Sequence, residues 1–121
     1  MERVKFVKIE IGDDLVLSFV VPRQGDPSEI ESLVLLQTPK FEPAVQEGLR
    51  GVRVASERYD DDEWDFLDKF EYVEAEAIVR VQTYSRRYEL DVRKLDANEL
   101  VQMRKVLKKM NFDQRFKTAG V

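Results

Sequence analysis

Apolar and polar residues alternate along several short stretches of this chain, the period-two signature of strands with one buried face. Val4, Phe6, Val7, Ile9 and Ile11 interleave with Lys5, Lys8 and Glu10, and the skip at Phe6-Val7 reads as a β-bulge that restores the phase. Gly12-Asp13-Asp14 is turn chemistry. Leu15, Leu17, Phe19 and Val21 then alternate with Val16, Ser18 and Val20 until Pro22 removes a ladder donor, so the two stretches predict a hairpin.

Pro22 to Ser28, with Gly25 and Pro27, reads as an exposed connection before the apolar run Leu33-Val34-Leu35-Leu36, a central strand. Pro39 and Pro43 make 38–48 a loop, and Val52 and Val54 mark a short strand within 51–57. Trp64, Leu67 and Phe70 recur at helical spacing and predict a short helix or turn over 62–70. From Val73 the alternation resumes, with Ala75, Ala77, Val79 and Val81 on one face and Glu74, Glu76, Ile78, Arg80 and Gln82 on the other, as one long strand. Tyr84-Ser85-Arg86 separates it from Tyr88, Leu90 and Val92, giving a second hairpin whose turn has no glycine.

The last element is the best specified. Asp96 followed by Glu99 is a capping box, Leu95 and Leu100 occupy staple positions, and the helix should begin at Ala97. Leu100, Met103, Val106, Leu107 and Met110 form its apolar stripe, with Lys108 and Lys109 near the negative end of the helix dipole. The expected architecture is α+β: a mainly antiparallel sheet of about six strands, with two clear hairpins and one C-terminal amphipathic helix packed on a sheet face. Residues 1–112 read as a single domain and 113–121 as a frayed tail.

Composition narrows the functions. A chain of 121 residues that is 43% hydrophobic and 36% charged has the make-up of one folded domain. With no cysteine it holds neither disulfide nor thiolate metal site, and with no histidine it lacks the commonest general base and neutral metal ligand. Glycine-rich phosphate loops, zinc-finger spacings and nucleophile elbows are missing from the sequence. The chain therefore reads as non-enzymatic, without cofactor, metal or small-molecule substrate. No stretch has the length and apolarity of a signal or membrane span, and a cytoplasmic location is expected.

Charge is distributed unevenly. From Glu57 to Glu76 ten acids face two bases, a net of about −8, whereas Ala77 onward carries eleven bases against five acids. Within the acidic stretch, Asp60, Asp61, Asp62, Glu63 and Asp65 are candidates for docking a basic partner. A calcium loop counted from Asp60 would find its twelfth-position acid in Glu71, yet it places Trp64 fifth and Asp65 sixth, where a carboxylate or amide and a glycine are needed.

The basic part suggests single-stranded nucleic acid, with Arg80, Gln82, Tyr84, Arg86, Arg87, Lys94, Lys105 and Lys109 as candidate contacts: cations follow phosphates and a tyrosine face stacks on bases. Glu89 and Asp91 on the same hairpin oppose it, as does the overall charge of −4. The succession of strands, hairpin and terminal helix resembles in outline the single-stranded DNA-binding coactivator domains, with no motif matching residue by residue. The leading expectation is a module for protein association, self-association above all, through an apolar patch formed by Ile78 with Val16 or Val20 on an uncovered sheet face. Single-stranded nucleic-acid binding is the alternative.

Overall fold

The computed structural model describes residues 1–39, 51–58 and 65–121. The described residues form an α+β fold of two sheets and one α-helix. The strands are β1 (Glu2–Arg3), β2 (Phe6–Ile11), β3 (Leu15–Arg23), β4 (Asp26–Gln37), β5 (Arg53–Ser56), β6 (Leu67–Val73), β7 (Ile78–Thr83), β8 (Arg87–Asp91) and β9 (Lys117–Ala119); the helix α1 spans Ala97–Met110. One sheet has the order β2-β3-β4-β5 and is antiparallel throughout. The other runs β1-β8-β7-β6-β9, antiparallel in its middle, with β1 and β9 added in parallel at its edges.

The sheets are joined along both sides. Val4 donates its amide to the Asp91 carbonyl (2.8 Å) in one sheet, and the next amide, Lys5, donates to the Val20 carbonyl (2.8 Å) in the other. On the opposite side Val54 donates to Asp65 (2.9 Å) and Leu67 to Val52 (2.8 Å), bridging β5 to the start of β6. The strands thus follow a closed circuit of hydrogen bonds, which satisfies edge groups that an open pair of sheets would leave to solvent. Phe19 and Phe70, both fully buried, stack across the interior with ring centroids 6.2 Å apart.

Met103, Val106, Leu107 and Met110, one stripe of α1, are buried in this same core. Glu99 fixes the helix twice over. Its amide donates to the capping Asp96 Oδ1 (2.8 Å), while its own carboxylate accepts the Asp96 amide on Oε1 (3.2 Å) and the Val7 amide of β2 on Oε2 (3.1 Å). The capping box expected from the sequence therefore also covers an edge amide of the sheet, beyond the roughly 1 kcal/mol usual for a cap.

Five expectations are corrected, each for a local reason. The skip at Phe6-Val7 marks no bulge; the chain leaves one sheet for the other between Val4 and Lys5. The connection over 22–28 shrinks to Gln24-Gly25, with Gly25 at φ +88°, because β3 and β4 pair as far as Arg23 and Asp26. Where a short helix or turn was expected over 62–70, residues from Leu67 onward are strand β6, and the part of that span from 62 to 64 lies outside the described residues. A register shift between Leu67 and Lys69 turns both Leu67 and Phe70 inward, so a bulge imitates the helical spacing. The long strand from Val73 is two strands, since Glu74–Glu76 forms a 3-10 turn closed by Ala77 in the left-handed region (φ 54°) and β6 and β7 become a hairpin. The tail expected to fray carries β9, paired in register with β6, and buries Phe116.

Asp91 ties the first of the two seams. Arg93 donates its amide to Asp91 Oδ1 (3.0 Å), and Arg3 lies 3.4 Å from Oδ2. That amide bond, with the charges of Arg93 and Arg3, holds the carboxyl below its ordinary value of 3.8 against the opposing cost of desolvation. A depressed carboxylate stabilises the fold fully above its unfolded value and loses that contribution as pH falls through the folded one. Asp91→Asn is expected to lower the melting temperature at pH 7, and the gap from the parent should close as pH drops below about 4. A gap independent of pH in thermal melts would show that the charge of Asp91 contributes nothing.

Candidate functional site

Strand alternation sends Val79 and Val81 of β7 into the core and Arg80 and Gln82 outward. The helix α1 sits on the core side, so among the described residues no helix covers the outward face of the five-stranded sheet. Register then fixes which side chains become neighbours across the strands. One row reads Glu89, Arg80, Glu71 and the next Arg87, Gln82, Lys69, Lys117. These two rows line a depression of about 300 Å³, with Lys117 continuing the second row beyond it.

The two rows differ in electrostatic character. Arg80 donates to Glu71 at 3.0 Å and stands 4.0 Å from Glu89, so it is occupied by acids on both sides. The hydrogen bond to Glu71 also raises its guanidinium above the ordinary arginine value. Arg87, Lys69 and Lys117 make no ion pair among the described residues, and Arg87 and Lys117 are exposed. Three cations and an amide therefore stand in line, beside a row of two acids and one arginine that keeps one negative charge.

Lys69 and Lys117 are additions to the residues singled out from the sequence. Without the bulge at Asp68, Lys69 would fall opposite Val81 and point into the core; the shift sets it opposite Gln82 on the outward face. Lys117 belongs to the segment expected as a tail, and only its pairing with Lys69 brings it to the row.

The remaining candidates are dispersed. Tyr84, 70% exposed, lies in the turn just beyond Gln82. Arg86 is half-buried and is built into that turn: its amide donates to Thr83 Oγ1 (2.8 Å) and its carbonyl accepts from the Thr83 amide (2.8 Å). This hydroxyl also receives the Ser85 amide (3.2 Å), which explains a tight turn without glycine. Lys94 is exposed between β8 and α1, and Lys105 and Lys109 are exposed on α1, on the core side of the sheet that carries Arg80 and Gln82 on its other face.

Asp65 does not belong to an acidic docking surface: it is 4% exposed, and its Oδ2 accepts from Thr83 Oγ1 at 2.6 Å, anchoring the same turn. Asp60, Asp61, Asp62 and Glu63 lie outside the described residues. Opposed charges meet within the fold at Arg80-Glu71 and at Arg104-Glu74 (3.8 Å), so part of the acidic stretch is neutralised by the basic part. Among the described residues no three acidic side chains are grouped to hold a metal ion, and no helix is long and apolar enough to cross a membrane.

The outward face of the four-stranded sheet is of another kind. Its rows are Pro22-Ile30, Phe6-Val20-Ser32, Lys8-Ser18-Val34-Ala55 and Glu10-Val16-Leu36-Arg53. Val20 is buried here yet stands apart from the core cluster, Val16, Val34 and Leu36 are half-buried, and Phe6 and Ile30 are 38% and 45% exposed. Val16 and Val20 do share one face, as expected, whereas Ile78 lies in the other sheet, beside Val73 and Asp91.

Comparison with protein families, curated proteins and solved structures finds no match to this chain. The chemistry of these two faces alone carries the functional reading.

Gly120 secures the strand that completes the cationic row. It sits at φ +77°, and a Cβ there would stand 2.0 Å from the Tyr72 carbonyl oxygen of β6. Gly120→Ala is expected to cost about 1–3 kcal/mol from the strained backbone and to displace the end of β9. Hydrogen exchange reads this directly: the amides of Lys117–Ala119 should lose protection while those of β7 keep theirs. Unchanged protection would mean that the chain end can shift without releasing β9.

Proposed function

We propose that this protein is a non-enzymatic association module of the cytoplasm, and that its principal partner is a second copy of itself, packed against the outward face of the four-stranded sheet. The observation that carries the reading is the adjacency of Phe6, Val20, Ile30, Val34 and Leu36 on one outward face, two of them well exposed. Apolar side chains gain about 25 cal/mol for each Å² removed from water, and the area still exposed on this face, chiefly on Phe6 and Ile30, is open to a partner.

The rim argues for self-association. Lys8 and Glu10 follow each other on the same face of β2, and both are exposed. A two-fold axis through such a face brings each lysine toward the glutamate of the other copy, the self-complementarity an isologous interface requires. The chemistry available supports a binding role over catalysis: histidine and cysteine are absent from the sequence, and the pairing of Arg80 with Glu71 and Glu89 leaves that cluster a structural one. The cysteine-free composition makes no demand for an oxidising compartment.

Light scattering coupled to size exclusion tests the reading. The parent is expected to form a dimer that dilution dissociates, and Ile30→Glu, at a position exposed in the single chain, should shift it to monomer with its melting temperature nearly unchanged. A parent that stays monomeric at every accessible concentration, or a dimer indifferent to Ile30→Glu, overturns the proposal.

A further inference from the structure

We infer that the row Arg87, Gln82, Lys69 and Lys117 is a track for single-stranded nucleic acid, laid across β8, β7, β6 and β9 with Tyr84 at its border. It uses the outward face of the five-stranded sheet, and so is independent of the apolar face of the other sheet.

Geometry makes the first part of the case. Adjacent strands lie about 4.8 Å apart, so four of them carry the row over about 14 Å, long enough to meet more than one phosphate of an extended strand. The cations are at hand: Lys69, Arg87 and Lys117 make no ion pair among the described residues. The acids that argue against binding are partly answered by the structure. Glu71 is hydrogen-bonded by Arg80 and Glu89 stands 4.0 Å from it, which withdraws Arg80 as a phosphate contact and leaves the row beside the track one negative charge instead of two. Asp68, the bulge residue, is the acid that flanks the row in sequence.

Tyr84 decides between anionic partners. A stretch of acidic peptide has no use for an aromatic platform, whereas every base offers a face to stack on one. Tyr84 is 70% exposed in a turn whose backbone is held by Thr83 and Asp65, so the platform is presented from a fixed base just beyond Gln82 of the cationic row. Gln82, centred between Arg87 and Lys69, supplies an amide that donates to phosphate oxygens without adding charge.

The test is a titration of the full chain into a fluorescently labelled oligothymidylate of about twenty nucleotides, followed by anisotropy at low and near-physiological salt. Saturable binding weakened by salt is expected. Replacing Lys69, Arg87 and Lys117 together by glutamine should weaken it by about tenfold or more and reduce the salt slope by about 2, a step of about 0.7 for each phosphate no longer neutralised. Arg87→Gln alone, at an exposed position, should remove about one such step and serves if the triple variant misfolds. Tyr84→Ala is expected to cost about fivefold or more, while Lys105→Gln with Lys109→Gln on the helix should leave binding unchanged. Absence of binding at low salt, a variant of the row that binds like the parent, or polyglutamate competing as well as unlabelled oligothymidylate each overturns the inference.

Discussion

Two consecutive amides, those of Val4 and Lys5, donate to carbonyls in different sheets, and the architecture depends on that divergence. A strand that stayed in one sheet would leave the other with a raw edge; by crossing over, the chain serves both and lets them share one interior. Val4, at the crossing, is completely buried within that shared core. The seam is reinforced from the side by Asp91, whose carbonyl takes the Val4 amide while its carboxylate holds Arg3 and the Arg93 amide. The opposite seam, between β5 and the start of β6, rests on the hydrogen bonds of Val52, Val54, Asp65 and Leu67, and Asp65 carries its effect onward through Thr83 into the turn before β8. Core closure and surface presentation therefore have a common mechanical origin.

Closure also sorts the faces by chemistry. Once both sheets turn one side inward, each has a single outward side, whose residues stand outside the core cluster. On the four-stranded sheet those residues are largely apolar; on the five-stranded sheet two cross-strand rows are of charged and amide side chains, beside the row of Val73, Ile78 and Asp91. Surfaces of such different character suit different partners, since desolvation of apolar area favours a close-fitting protein face and a line of cations favours a phosphate backbone. A dimer formed through the apolar face would leave the two cationic faces uncovered, one on each copy. Linked sites of this kind raise apparent affinity for a long strand through effective concentration, with the same set of interactions at each site.

Much of the fold is legible in the sequence where one rule governs a whole element. The capping box at Asp96 and Glu99 sets the start of α1 to the residue, and alternation of apolar with polar residues marks β8 and β7. The errors cluster where a short irregularity changes the phase. A bulge at Asp68 spaces Leu67 and Phe70 like a helix; a 3-10 turn over Glu74–Glu76 lets Ala75 and Ala77 continue an alternation that belongs to no strand; the crossing at Val4-Lys5 looks like a bulge two residues away. At the bulge and at the crossing periodicity alone cannot separate a backbone defect from a change of element, because both displace the next apolar residue by one position, while at Glu74–Glu76 the phase runs through the turn unbroken.

The same irregularities explain why the cationic row is only partly legible. Arg80 is attractive by charge and by its place on a strand, but a cross-strand neighbour is invisible without register, and register gives Arg80 to Glu71 and Glu89. Lys69 is hidden inside an expected helix and Lys117 inside an expected tail, and each reaches the outward row through a feature that also disguises its element: the bulge for one, the parallel pairing of β9 for the other. A bulge costs the ladder a regular pair, and a glycine-locked end strand fixes three residues that would otherwise keep their conformational freedom. Both irregularities deliver a lysine to one line on one face, so the backbone departures and the cationic row are a single feature seen at two levels.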